Sequence, residues 1–220
     1  MNTTTKTLFT SLYIGAALSF LPATSAANPQ PEFAIAIHGG AGTINRDKMT
    51  PEKRKQYENK LLEAVNKGYA LLEKGADSQQ AVIAAIQILE SSPLFNAGVG
   101  AVYTFDGEHE LDASIMHGKT LNAGAVSGVK TVKSPIALAE AVMEKSVHVM
   151  LSGEGAEQFA KQQALEFVDN KYFDTEFRYK ALQRAKKKLA EKERELKDFQ
   201  AAHATLDNEF KFGTVGANCK

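Results

Sequence analysis

Residues 89–118, LESSPLFNAGVGAVYTFDGEHELDASIMHG, decide how the chain is read. The stretch opens as the end of a helix and meets Pro93. It then runs irregularly through Asn96, Gly98 and Gly100, and glycines of that kind permit positive φ and close backbone approach. After it come two short segments of strand character, AVYTF (101–105) and ELDASIMHG (110–118), separated by a turn signal at Asp106-Gly107. A helix end followed by irregular backbone leaves several carbonyls unpaired, and these meet either water or a hard cation. On chemistry alone both readings stand, alongside a plain helix-to-strand loop.

Upstream, DSQQAVIAAIQILESS is a helix capped near Asp77 or Ser78 and apolar on most sides. Before it, TPEKRKQYENKLLEAVNKGYALLEKG is an amphipathic helix with Thr50 as N-cap, Pro51 at its first position and Gly75 as its stop. FAIAIHGGAG, from Phe33, reads as a buried strand entering a glycine turn at His38–Gly42. That turn is neither a dinucleotide fingerprint nor a P-loop. His38 has no second histidine at metal-ligand spacing and reads as a core residue as readily as a base.

Downstream, NAGAVSGV (122–129) is a further strand. SPIALAEAVMEKS is a helix with Ser134 as N-cap and Pro135 at its first position, and GEGAEQFAKQQAL is another. The order of elements describes a layered α and β protein with helices grouped on sheet faces, without regular βαβ alternation. Residues 178–208 are dense in charge, with Leu182, Leu189 and Leu196 at heptad spacing. Three leucines are too few for a sustained coiled coil, so a solvated helix or linker is expected. Glu110 and Asp112 fall on one strand face, as a carboxylate pair or a polar surface. Gly153 and Gly155 in SGEGAEQF, at a helix start, offer a weak anion site, and Ser114, Ser127 and Cys219 lack partners that would make them nucleophiles.

The bulk properties exclude several classes. The 220 residues carry 26 basic and 26 acidic side chains, so nothing suggests a nucleic-acid partner. One cysteine, Cys219, excludes an internal disulfide framework and a cysteine zinc site. The first 27 residues have one lysine, an apolar run from about Leu8 to Leu21 and the small-residue stretch ATSAA. This is the layout of an export signal, so a periplasmic or secreted mature chain is expected, with no membrane span after signal removal.

Near the end, EFKFGTVGANCK joins Gly213 to Thr214. A threonine after glycine suits an intramolecular acyl shift that frees an N-terminal threonine, whose amine can serve as base for its own hydroxyl. The dipeptide is too common to carry this by itself.

Taken together, IAIHGGAG, PLFNAGVGAVYTFDGEHELDASIMHG, NAGAVSGV, the segment from Ser134 to Ala160 and GTVGA resemble, in family order, the isoaspartyl peptidase and plant-type L-asparaginase family of N-terminal-nucleophile hydrolases. The resemblance implies an α+β fold, a four-layer αββα sandwich, of which this chain holds the first-subunit half. It implies an autocleaved amidohydrolase acting on L-asparagine and β-aspartyl dipeptides. The cut falls between Gly213 and Thr214, and Thr214 is the nucleophile. Asn96, Gly39 and Gly40 are implied near the site. A structural sodium ion is implied on the main-chain carbonyls of Leu89, Glu90, Ser92, Phe95, Ala97 and Val99, with no catalytic cofactor. Two α and two β subunits are the implied assembly.

On this reading residues 1–27 are the signal, 28–177 the first-subunit domain, 178–213 a charged linker and 214–220 the start of the second subunit. The substrate-binding residues of the second subunit have no counterpart in the stretch after Thr214, so the 220 residues alone are expected to be inactive. A non-catalytic truncated or frameshifted fragment, and a glycosylasparaginase of the same fold, are the alternatives.

Overall fold

The computed structural model describes residues 33–40, 49–195 and 216–219. The segment expected to be an export signal, Gly213 and Thr214 lie outside the described residues.

The local signals act where they are expected. Strand β1 is Ile35–His38. Helix α1, Pro51–Glu73, begins after Thr50, whose hydroxyl accepts from Lys53 N, and Gly75 follows its end at φ +81°. Helix α2, Ser78–Glu90, is capped by the Asp77 carboxylate, which accepts from Gln80 N at 2.8 Å. Strands β2 (Leu111–Met116) and β3 (Ala123–Val129) form an antiparallel pair with an irregularity between Leu111 and Ala113. Helix α3, Pro135–Lys145, crosses to β4 (Met150–Ser152), which pairs parallel with β3. Helices α4 (Gly153–Gln162) and α5 (Glu176–Glu195) follow, with a 3-10 turn at Asn170–Phe173 between them. Strand β5, Gly216–Cys219, returns to pair antiparallel with β1.

The described residues therefore hold one sheet in the order β1-β5 and another in the order β2-β3-β4. Helices α1 and α2 cover the first, and α3 and α4 pack on β3. This is the expected mixed α+β class, and helices laid on sheets are consistent with the αββα sandwich. The larger core joins Ile86 of α2, Leu111, Ile115, Val126 and Val129 of the hairpin, Ile136, Leu138 and Val142 of α3, and Phe173. The smaller joins Ala64, Ala85, Leu89 and Phe95, with Ile35, Ile37, Tyr57 and Leu61 against it. No helix among the described residues is long and apolar enough to cross a membrane.

Three expectations change. Residues 101–105 are not a strand, because their polar groups are taken locally and by side chains. Val102 N donates to Asn96 Oδ1, Thr104 N to Glu108 O, and Gly107 N to Thr104 O, which leaves no row of groups for a ladder. Ser134 does not cap α3 with its own side chain; the carboxylate of Glu90, reaching across from α2, accepts from Ile136 N at 2.9 Å. The charged segment is helical from Glu176, two residues before the expected linker boundary, and Arg178 and Ala181 are buried. Its first turns thus belong to the packed unit.

Candidate active site

The loop from Ser91 to Val102 is built from backbone. Val99 N donates to Glu90 O at 2.7 Å, and Ser92 N to Leu89 O at 3.1 Å. Gly98 and Gly100 hold positive φ, at +48° and +124°. A Cβ on Gly98 would stand 2.2 Å from Glu90 O, and one on Gly100 2.7 Å from Phe95 O and 2.9 Å from Pro93 O. Three carbonyls therefore crowd the space that two glycines leave open. Glu90 O, which accepts from Val99 N, keeps a second lone pair. Among the described residues no cluster of three or more His, Cys, Asp or Glu side chains is placed to hold a metal ion.

Two long side chains bracket this loop. Tyr57 of α1 donates its hydroxyl to Leu94 O at 2.9 Å and sets its ring edge-on to Phe95, with centroids 5.6 Å apart. Arg178 of α5 donates Nε to Gly100 O. Burial raises the Tyr57 hydroxyl pKa, opposed by the nearby Arg178 charge, and burial lowers the pKa of Arg178. Behind the loop, Glu90 is 6 % exposed, and burial pushes its carboxyl up to about 7, against the pull of the Ser134 hydroxyl and the Ile136 amide. Ser134 Oγ donates to Glu90 Oε2 at 2.7 Å. Glu90→Ala is expected to cost about 3 kcal/mol, because it strips the α3 cap and leaves a buried N–H unmet. Glu90→Gln should recover most of that loss, read as the shift in urea midpoint.

Asn96 sits at the mouth of a cavity of about 260 Å³, with Gly98, Val102, Glu110, Asp112, Ser114 and Ile136 among its walls. Its Oδ1 accepts from Val102 N at 2.9 Å, which settles which end of the amide is oxygen and leaves Nδ2 as a donor. Glu110 and Asp112 do not act as a pair. Glu110 lies 3.4 Å from Lys130 Nζ, and Asp112 accepts from Gly128 N at 2.8 Å.

The HGGAG turn meets the same loop. A Cβ on Gly39 would lie 3.1 Å from Phe95 Cε1 and 3.2 Å from Leu61 Cδ2, so Gly39 lets β1 run close over the residue preceding Asn96. Gly40 holds φ +121°. His38 Nδ1 accepts from Gly40 N at 3.3 Å, a local turn bond. In the β1–β5 register His38 faces Gly216, so β5 begins where β1 enters the glycine turn. The described part of the chain thus brings Gly39, Gly40, Asn96 and Gly216 to one end of the β1–β5 sheet. Tyr57, His109 and Arg178 went unnoticed in the sequence. No local motif marks them: Tyr57 and Arg178 bond carbonyls 37 and 78 residues away, and the His109 ring meets Asp174 65 residues on as well as the nearby Val102.

A glycine-lined loop carrying an asparagine beside the β1–β5 sheet is consistent with the fold of the N-terminal-nucleophile hydrolases. The asparaginase family profile matches residues 31–219, and the chain belongs to that family, which holds the isoaspartyl peptidases and plant-type L-asparaginases. It is 48% identical over 183 residues to an isoaspartyl peptidase of Salmonella typhimurium, covering 83% of this chain and 56% of that protein. It is 48% identical over 158 residues to a plant-type L-asparaginase of Pyrococcus furiosus, covering 72% and 49%. To an isoaspartyl peptidase/L-asparaginase of Rattus norvegicus it is 38% identical over 203 residues, covering 91% and 56%. The chain spans about half the length of these relatives.

Proposed function

We propose that the polypeptide to which these residues belong is an amidohydrolase that cleaves itself between Gly213 and Thr214 and then hydrolyses L-asparagine and β-aspartyl dipeptides. The observation that carries this reading is the pairing of Gly216 with His38, beside the contact of Gly39 with Phe95. Thr214 is two residues from Gly216, so chain geometry keeps their Cα atoms within about 7 Å.

The threonine hydroxyl attacks the Gly213 carbonyl, the C–N bond breaks so that the peptide shifts to an ester and the Thr214 amine is freed, and water then hydrolyses the ester to release the Gly213 carboxylate and the Thr214 hydroxyl. Titrating near neutrality, that amine takes the proton of its own Oγ1. Oγ1 then adds to the side-chain carbonyl of the substrate, and the tetrahedral adduct expels ammonia or the amine of the dipeptide. Water hydrolyses the resulting β-aspartyl ester to aspartate. Asn96 Nδ2 serves as a donor towards the reacting carbonyl.

A sodium ion on the carbonyls of Leu89, Glu90, Ser92, Phe95, Ala97 and Val99 stiffens the loop that carries Asn96. Residues 1–27 direct export, and two α and two β subunits make up the assembly.

The test is a pair of preparations: the 220-residue chain, and the same chain joined at Gly216 to the remaining part of the Salmonella relative. Mass spectrometry should find a new N-terminus at Thr214 in the joined protein, together with ammonia release from L-asparagine or aspartate release from a β-aspartyl dipeptide. An intact, inactive joined protein that is folded would remove the proposal.

A further inference from the structure

We propose that His109 is a positioning residue that sets the orientation of the Asn96 side-chain amide, acting through the main chain of Val102. The inference rests on the reading in which Asn96 serves the reacting centre. His109 is fully buried, against the Tyr103 ring at a centroid distance of 4.1 Å and the Phe173 ring at 6.1 Å. Its backbone is fixed by Asn170, whose Oδ1 accepts from His109 N and whose Nδ2 donates to His109 O, both at 2.9 Å. Nδ2 of Asn170 also donates to Lys130 O at 2.8 Å, so the anchor is tied to the end of β3.

The ring itself bridges two acceptors. Nε2 lies 3.1 Å from Asp174 Oδ1 and Nδ1 lies 3.2 Å from Val102 O. Asp174 also takes the hydroxyl of Tyr103, whose own ionisation burial and this carboxylate push up to about 12. With Asp174 at Nε2 the ring turns Nδ1 to Val102 O, and because both neighbours are acceptors it donates to both only as the imidazolium, in which each nitrogen carries an N–H. Val102 is then held at both of its polar groups: its carbonyl by His109 and its N–H by Asn96 Oδ1. The two groups lie in successive peptide units that meet at the Val102 Cα, so the pair of bonds restrains the backbone on both sides of Val102.

This matters because the two ends of a carboxamide differ only in what they meet. With Val102 N–H fixed, Oδ1 is the occupied end and Nδ2 is the end left to donate. If Val102 rotated, the amide could flip and offer an oxygen to a carbonyl oxygen, which repels. His109 touches no reacting atom on this account; it keeps the donor end of Asn96 correctly placed.

The experiment uses the isotope-labelled 220-residue chain, followed by NMR. His109→Asn puts an amide donor near the place of Nδ1, and His109→Gln puts one near the place of Nε2, while both leave a comparable cavity. In His109→Gln the Val102 amide should exchange with solvent about tenfold faster, and the Asn96 side-chain amide signals should shift. His109→Asn should restore both. Asp174→Ala alters a half-exposed residue and leaves the core intact, so it remains informative if the buried variants fail to fold. It should speed Val102 exchange severalfold and move the same Asn96 signals. Equal behaviour of the Asn and Gln variants, or an unchanged Val102 in Asp174→Ala, would overturn the proposal. In the joined enzyme His109→Gln should lower kcat about tenfold with KM unchanged. Absence of turnover in the unmutated enzyme would remove the functional reading alone, since the NMR result stands without it.

Discussion

Thr214→Ala is expected to leave the joined polypeptide uncut and to reduce its turnover by about 10⁴-fold or more, the scale on which removal of a nucleophile acts. Both losses share one cause. In the proposed mechanism the hydroxyl that attacks the Gly213 carbonyl is the hydroxyl that later attacks the substrate amide, and alanine has none. Loss of cleavage has a second consequence, because an uncut Thr214 keeps its nitrogen in a peptide bond and cannot act as a base. Thr214→Ser keeps the oxygen without the methyl that limits its rotamers, so cleavage should proceed, more slowly. Intact-mass spectrometry reads cleavage, and ammonia release reads turnover. A Thr214→Ala protein that still splits after Gly213 would show that the nucleophile lies elsewhere.

Gly124→Ala is expected to destabilise the fold by about 3 kcal/mol or more, at the upper end for overpacking, because the obstruction is backbone. An added Cβ would stand 2.1 Å from Ala139 O and 2.5 Å from Met143 N, both main-chain atoms of α3. No rotamer relieves that contact. Strand β3 must move off the helix, or α3 must move from the Glu90 cap and from the core at Ile136, Leu138 and Val142. Gly155→Ala is the control: it lies in α4 with nothing within 4 Å of its would-be Cβ, so substitution there should be neutral or stabilise by up to about 1 kcal/mol. Urea midpoints of the two variants separate a close approach from a general intolerance of side chains. A Gly124→Ala protein as stable as the parent would mean that β3 and α3 are not so closely packed.

What could be read from the chain as written is what acts over a few residues. Thr50, Pro51, Asp77 and Pro135 set helix starts through caps and fixed φ, and the alternation in LDASIM sets a half-buried strand. The spaced segments HGGAG, PLFNAG, ELDASIM and GTVGA were enough to place the chain in its family, because each needs its own residues at its own turn or strand. AVYTF misled, since its strand-like composition could not show that Asn96 and His109 claim both polar groups of Val102. Only the tertiary structure could decide that Glu90 caps a helix whose first amide lies 46 residues on, or that Arg178 leaves a run of charge to bond Gly100. Nor did the sequence say which end of the Asn96 amide is free to donate. These are polar groups buried by folding, and a buried polar group takes whatever partner the packing brings, at any distance along the chain.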